Sequence, residues 1–396
     1  MKKRFLLTAA VSVMTLAASA QLQGDGYYRV YNLGLQTLKN KKCYTWVAAD
    51  KVLIVNQAGT GQRFDAIELW SKTVKSPISE PASVIYATLN GSNIDLEAQG
   101  TSVSRMTDCK LTLAQNGTAN SYTLSTVQAG CTLYLWAYTN MSAKHYIATT
   151  ITNNSVAYKF WGVEPVSSSS DNYFGVQPTL EANGKYYAPF YASFPFKFAS
   201  QGMKAYYVSS VDNDHYTLEE ITTEVKPGAT PMIIECSSNN VSDNRLDLLH
   251  GSYPAVKGNK LSGVYFCNDF YEDSRGIRTT FDPATMRVWN VENGQLVLST
   301  ATDNLHSSYY AGKANFPGEL YNGYLNANQS YLTVSASASQ TLTAGTTGVN
   351  DLNASAESAK PVRYTTAGGM TVDAPQKGMG VVIVKYSDGT VRSVVY

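Results

Sequence analysis

Short apolar runs alternate with polar residues along most of this chain, and Gly, Asn, Asp or Pro breaks them every few positions. Alternation with period two marks a strand with one buried face, whereas an amphipathic helix repeats its apolar positions every three to four residues. Strands are predicted at Tyr186-Tyr187-Ala188-Pro189-Phe190-Tyr191, Met203-Lys204-Ala205-Tyr206-Tyr207-Val208, Met232-Ile233-Ile234-Glu235-Cys236, Met286-Arg287-Val288-Trp289 and Gln295-Leu296-Val297-Leu298. Turns are predicted at Asp212-Asn213-Asp214, Pro227-Gly228, Asn293-Gly294 and Asn322-Gly323. Asn293-Gly294 lies between two apolar runs and is the clearest hairpin signal. No long amphipathic helix interrupts the pattern, so the expected class is all-β.

The first residues follow a different rule. Met1-Lys2-Lys3-Arg4 is a basic patch, 5–17 are largely apolar, and Ala18-Ser19-Ala20 offers small residues to a signal peptidase. Residues 1–20 are therefore expected to be a secretory signal peptide with Gln21 as the mature N-terminus. The apolar run is shorter than the ~20 residues a membrane helix needs, and no later segment reaches that length, so no transmembrane helix is expected.

Residues 24–166 carry a faint threefold repeat. Thr45-Trp46-Val47-Ala48-Ala49-Asp50, Asp95-Leu96-Glu97-Ala98-Gln99-Gly100 and Tyr134-Leu135-Trp136-Ala137-Tyr138-Thr139 share an apolar-x-Ala-polar core. Each is followed later by a second apolar strand, at residues 66–70, 109–113 and 158–163. Three such units suggest a β-trefoil-like domain, in which no unit can bury its apolar face alone; a plain β-sandwich explains the same strand spacing. The serine run within 167–172 is expected to be a flexible linker. Residues 173–345 are expected to form a jelly-roll or sandwich-like β-domain. Residues 346–360 read as a second linker, and 361–396 as a small C-terminal β-module of three strands.

Composition narrows the functional classes. The 31 basic and 30 acidic side chains nearly cancel, so no electrostatic pull toward nucleic acid exists. Charged residues are only 15% of the chain, and it carries 28 Tyr. A tyrosine-rich, charge-poor surface suits neutral partners such as sugars or other proteins. Five cysteines, Cys43, Cys109, Cys131, Cys236 and Cys267, show no CxxC spacing, so neither a zinc knuckle nor a thioredoxin-type motif is present. A Cys109–Cys131 disulfide and buried free thiols are both open.

Catalytic motifs are missing. HExxH, GxSxG, GxxxxGK[ST] and a strand-borne GxGxxG do not occur, and the four histidines, His145, His215, His250 and His306, are not paired at metal-ligand spacing. No catalytic residue, metal or cofactor is therefore assigned. Glycoside hydrolysis needs only two carboxylates, which distant strands can supply. The densest acidic run, Asp269-Phe270-Tyr271-Glu272-Asp273, reads as a solvated loop. Sugar binding is better supported, because a sugar's apolar face stacks on an aromatic ring while amides and carboxylates bond its hydroxyls. Trp46 with Asp50, and Trp136 with Tyr138 and Asn140, are the candidate ligand-binding residues; core packing is the alternative for both tryptophans. The Gln-x-Trp spacing of ricin-type repeats is absent. Trp70 and Trp161 read as core.

Three stretches carry a resemblance. Gly26-Tyr27-Tyr28-Arg29-Val30-Tyr31-Asn32 and Phe160-Trp161-Gly162-Val163-Glu164-Pro165-Val166 resemble the two ends of a trefoil-like N-terminal domain found in secreted proteins of glycan-foraging Gram-negative anaerobes. Tyr187-Ala188-Pro189-Phe190 with Pro195, Val225-Lys226-Pro227-Gly228-Ala229-Thr230-Pro231, and Tyr331-Leu332 resemble the β-domain that follows it. Pro375-Gln376-Lys377-Gly378 and Ser387-Asp388-Gly389 are similar to a C-terminal sorting domain of type IX secretion. The resemblance implies export to the outside or the cell surface, with the periplasm as the minimum. It also implies that the outer-membrane secretion machinery is a partner of the C-terminal module. The expected function is a secreted or surface-held, non-catalytic binding protein for glycans or host surface proteins. The alternatives are a secreted glycoside hydrolase or accessory module, and a structural component of the surface or an exported matrix.

Overall fold

The structure is a computed structural model. It describes residues 22–34, 36, 45–47, 63–69, 77–91, 93–97, 110–128, 131–139, 145–150, 159–264, 281–301, 325, 328–345, 361–366, 368, 370–379, 381–386 and 391–395. The expected signal peptide and the 346–360 linker lie outside these residues. The chain is all-β and divides into two compact units, Met1–Asn172 and Tyr173–Tyr396.

Among the described residues the first unit has ten strands: β1 (Gly26–Asn32), β2 (Thr45–Val47), β3 (Arg63–Leu69), β4 (Ile85–Asn90), β5 (Asn93–Glu97), β6 (Lys110–Gln115), β7 (Tyr122–Gln128), β8 (Cys131–Thr139), β9 (His145–Thr150) and β10 (Phe160–Pro165). Six of them close a circuit, β1–β4–β5–β6–β7–β10 and back to β1, every pair antiparallel. Closure leaves these strands no open edge, and the price in shape is an interior that side chains must fill. Val30, Ile85, Ala87, Ile94, Leu113, Leu124, Trp161 and Val163, with Tyr28 and Tyr122, are buried on the facing rows. Beyond β7 the sheet continues as β8–β9–β3–β2.

Two details show how tightly the barrel is closed. Tyr31 pairs with Gly162, and a methyl group built on Gly162 would stand 2.5 Å from the Tyr31 ring. Only glycine leaves room for the ring there. Asn120, in the turn between β6 and β7, then ties that turn to two strands: its amide donates to the Tyr31 hydroxyl on β1 at 3.1 Å, and its carbonyl accepts from the Val163 amide on β10 at 3.1 Å. Arg29, fully buried on β1, donates from Nε to Ser83 Oγ at 3.1 Å and from a terminal nitrogen to Asn172 Oδ1. The serine run is accordingly no slack tether. The Ser167 amide donates to the Asn172 carbonyl at 3.1 Å, Ser170 donates back to Ser167, and Asn172 is buried.

The repeat read from the sequence is out of phase with the structure. Residues 45–47 and 134–139 fall on β2 and β8, which lie outside the barrel, whereas 95–97 fall on β5, a barrel strand. A short apolar motif specifies a strand but not which strand it will neighbour.

The second unit adds β11 (Phe174–Gly175), β12 (Leu180–Ala182), β13 (Lys185–Phe190), β14 (Phe196–Phe198), β15 (Lys204–Val211), β16 (His215–Glu220), β17 (Met232–Cys236), β18 (Arg245–Leu248), β19 (Leu261–Gly263), β20 (Met286–Glu292), β21 (Gln295–Ser299), β22 (Ser330–Thr333) and β23 (Thr341–Ala344). A ten-stranded sheet runs β12–β13–β17–β15–β16–β23–β21–β20–β22–β19 and curls into a half-barrel. Each of its strands sends at least one side chain into one core, which includes Tyr187, Tyr206, Tyr216, Ile233, Trp289 and Leu298. The other sheet, β11–β18–β14, has three strands. It meets β13 through edge-to-face contacts of Phe190 with Phe174 at 6.5 Å and with Phe196 at 5.5 Å. The two sheets are thus unequal, ten strands against three.

Turn chemistry explains the hairpins. Asn293 and Gly294 have φ of 51° and 75°, the two positive values a tight β20–β21 turn requires. Asn183-Gly184, with φ of 50° and 72°, does the same between β12 and β13. The Lys226-Pro227-Gly228 loop is held by contact instead: a methyl on Gly228 would lie 2.1 Å from the Ser193 carbonyl oxygen. Arg287, buried and without a carboxylate, donates to the carbonyls of Met286, Pro283, Ala338 and Ser339 at 2.7–2.9 Å.

The last strands are β24 (Pro361–Thr366), β25 (Thr371–Val372), β26 (Val381–Tyr386) and β27 (Val391–Val395), an antiparallel sheet in the order β25–β24–β26–β27. Its central strand β26 is apolar on both faces. Val382 and Val384 are buried, while Val381 and Ile383 are 45% and 39% exposed. Among the described residues no helix is long and apolar enough to cross a membrane.

Candidate functional site

The extension β8–β9–β3–β2 holds the described part of the candidate binding site. Trp46 lies on β2, and Trp136 and Tyr138 on β8; Asp50 and Asn140 lie outside the described residues. The register connects what the sequence separates. Trp46 pairs with Glu68, Glu68 with Tyr146, and Tyr146 with Tyr138, so four residues on four strands form one cross-strand row. Trp136 stands two residues before Tyr138, in the row that pairs with Ala148 and through it with Arg63. Residues two apart on a strand share a sheet face. By register, the positions of two Trp, two Tyr, a Glu and an Arg therefore share one sheet face.

Sequence reasoning found Trp46, Trp136 and Tyr138 but missed Glu68, Tyr146 and Arg63. Each of these sits in an ordinary strand pattern, and only long-range pairing makes it a neighbour. A bulge between Phe64 and Glu68 sets that pairing, and nothing in the local sequence announces it.

Several ionisable groups of the second unit are engaged structurally. Glu235, next to last on β17, is 9% exposed. It pairs with Lys185 Nζ at 3.3 Å and accepts from the Tyr206 hydroxyl at 3.3 Å. Burial first, and then the Glu235 charge, push the hydroxyls of Tyr187 and Tyr206 well above the usual tyrosine range. Tyr216 is raised by burial as well and donates to the Leu296 carbonyl at 2.8 Å. Tyr187 is different: its hydroxyl is buried and has no hydrogen-bond partner. The Cys236 thiol is pushed up to about 12, chiefly by burial, so it stays protonated and behaves as a small apolar side chain.

Exposed carboxylates shape turns. Asp212 accepts from the amides of Asp214 and His215 at 2.9 and 2.7 Å, and these bonds hold its carboxyl below the usual range. Glu220 pairs with Lys204 at 3.8 Å. Among the described residues no group of three His, Cys, Asp or Glu could hold a metal ion. Cys109 and the acidic run 269–273 lie outside the described residues.

Compared with known protein families, curated proteins and solved structures, the chain matches none.

Proposed function

We propose that the protein is an exported, non-catalytic binding protein that takes a neutral glycan on the aromatic face of its first unit. The observation that carries this reading is the cross-strand row Trp46–Glu68–Tyr146–Tyr138 with Trp136 beside it. Aromatic rings stack on the apolar face of a pyranose, and a carboxylate and a guanidinium on the same face bond its hydroxyls. A β-trefoil is the finer reading of the fold. It is supported by the closed six-strand circuit and by the hairpins β2–β3 and β8–β9, which leave the chain between barrel strands. Export is supported by the basic, apolar and small-residue order of residues 1–20. A sorting role for the C-terminal sheet, through the outer-membrane secretion machinery, is supported by its uncovered Val381, Ile383, Met370 and Met379.

A glycan array probed with the full mature chain tests the proposal. Binding to neutral glycans is expected, and Trp136→Ala should abolish it while the melting transition stays in place. An array without signal, or a signal that survives both Trp136→Ala and Trp46→Ala, overturns it. Slow cleavage of an array glycan would instead favour a hydrolase.

A further inference from the structure

The half-barrel contains a second candidate site. Its main core ends at Trp289, and a smaller core of Val264, Phe281, Val288 and Leu325 lies beside it. Between the two is a cavity of about 150 Å³. Close-packed interiors rarely keep voids larger than a water molecule. A cavity of this volume is large enough for a six-membered ring.

The lining indicates what kind of ring. Pro189, Val264, Trp289 and Leu325 supply apolar walls. The indole nitrogen of Trp289 is already spent on Ser330 Oγ at 3.1 Å, and Ser330 donates on to the Met232 carbonyl at 2.6 Å, so that wall is rigid. Thr179, which is exposed, and Gln329 and Tyr331, which are half-buried, also line the cavity and make no side-chain hydrogen bond among the described residues. Among the described residues no carboxylate, lysine, arginine or histidine borders it. A hydrocarbon ring would leave the three polar side chains idle, and an ion would find no counter-charge. A ring with one apolar face and several hydroxyls satisfies both halves of the lining.

We propose that this cavity is a binding site for a single neutral sugar ring, independent of the aromatic face on the first unit. The ring rests against Pro189 and Trp289, and its hydroxyls bond Thr179, Gln329 and Tyr331. The source is either a free monosaccharide or the terminal residue of a glycan.

The test is calorimetric titration of the full mature chain carrying Trp136→Ala, which removes the first unit's contribution. The probes are free neutral hexoses and N-acetylhexosamines, their methyl glycosides, and short oligosaccharides ending in the same residues. Saturable binding of at least one sugar is expected. Adding Thr179→Ala and Gln329→Ala should weaken it about tenfold, the loss expected for two modest hydrogen bonds. Equal affinity for free sugar and oligosaccharide assigns the site to monosaccharides, and binding of the oligosaccharide alone assigns it to glycan ends. No binding by any probe overturns the proposal. So does unchanged affinity in the double variant, or binding of phenol or cyclohexanol without any sugar. If the double variant loses its melting transition, Gln329→Ala alone, at a half-exposed side chain, replaces it with the same reading. The first-unit proposal stands or fails separately, on the array with Trp136 intact.

Discussion

The two units bury their strands in opposite ways. The first closes six strands round aliphatic side chains, Trp161 and the rings of Tyr28 and Tyr122, and its candidate ligand residues lie on strands outside the barrel. The second curls an open sheet round a core that includes three tyrosine hydroxyls, and it leaves a cavity where two cores meet. A closed barrel has a fixed interior volume and no slack, so recognition has to be built on its outside. A half-barrel is free to end its packing early, and the gap at the seam becomes a place for a ligand. Where a sheet closes thus decides where chemistry can be placed.

Alkaline titration should separate the units most strongly. The unfolded chain gives up tyrosine protons near pH ~10. Folding raises Tyr187, Tyr206 and Tyr216 above that value, so the stability they contribute is whole below pH ~10 and is lost as pH climbs toward the folded values. The loss is about 1.4 kcal/mol per pH unit for each hydroxyl that must stay protonated. Burial raises Tyr31 and Tyr122 of the first unit as well, but less, so tyrosinate absorbance with hydrogen exchange should show the half-barrel opening before the Arg29 amide region of the first unit. Simultaneous opening of both units would break the comparison.

Substitution at the barrel seam comes next. Gly162→Val places a side chain on the Tyr31 ring, in a barrel that cannot expand, and should cost about 3 kcal/mol in urea unfolding. A cost below ~1 kcal/mol would mean that the barrel yields more than its register implies.

Two hydroxyls in one core should answer with opposite signs. Tyr216→Phe gives up the bond to the Leu296 carbonyl and should cost about 1 kcal/mol. Tyr187→Phe removes a buried hydroxyl that has no partner and should stabilise by up to about 1 kcal/mol. The smallest effect is expected at the cavity. Val264→Leu adds volume where space exists and should be neutral or gain about 0.5 kcal/mol, whereas added bulk at Gly162 is costly.

Individual strands were legible in the sequence, and their partners were not. The runs at 186–191, 203–208, 232–236, 286–289 and 295–298 fall on β13, β15, β17, β20 and β21, and Asn293-Gly294 turns as its dihedrals demand. Local alternation carries that much. It cannot say that His215 lies parallel to Thr343, or that Trp46 shares a row with Tyr138, because such pairings depend on the path of the whole sheet. Buried Arg29 and Arg287 were equally hidden: a lone arginine in a strand pattern does not reveal that backbone carbonyls and small polar side chains will receive it. The serine run does mark where the two units divide, at Asn172, but it is not slack. Its composition suits a tether, but Asn172 and Arg29 close it into a turn.

Isothermal titration of the mature chain with the strongest array glycan, with and without Trp136→Ala, tests the aromatic-face account most directly. The account predicts a saturable heat of binding that vanishes in the variant while its unfolding midpoint is unchanged. An equal heat in the two proteins, with both folded, would contradict it.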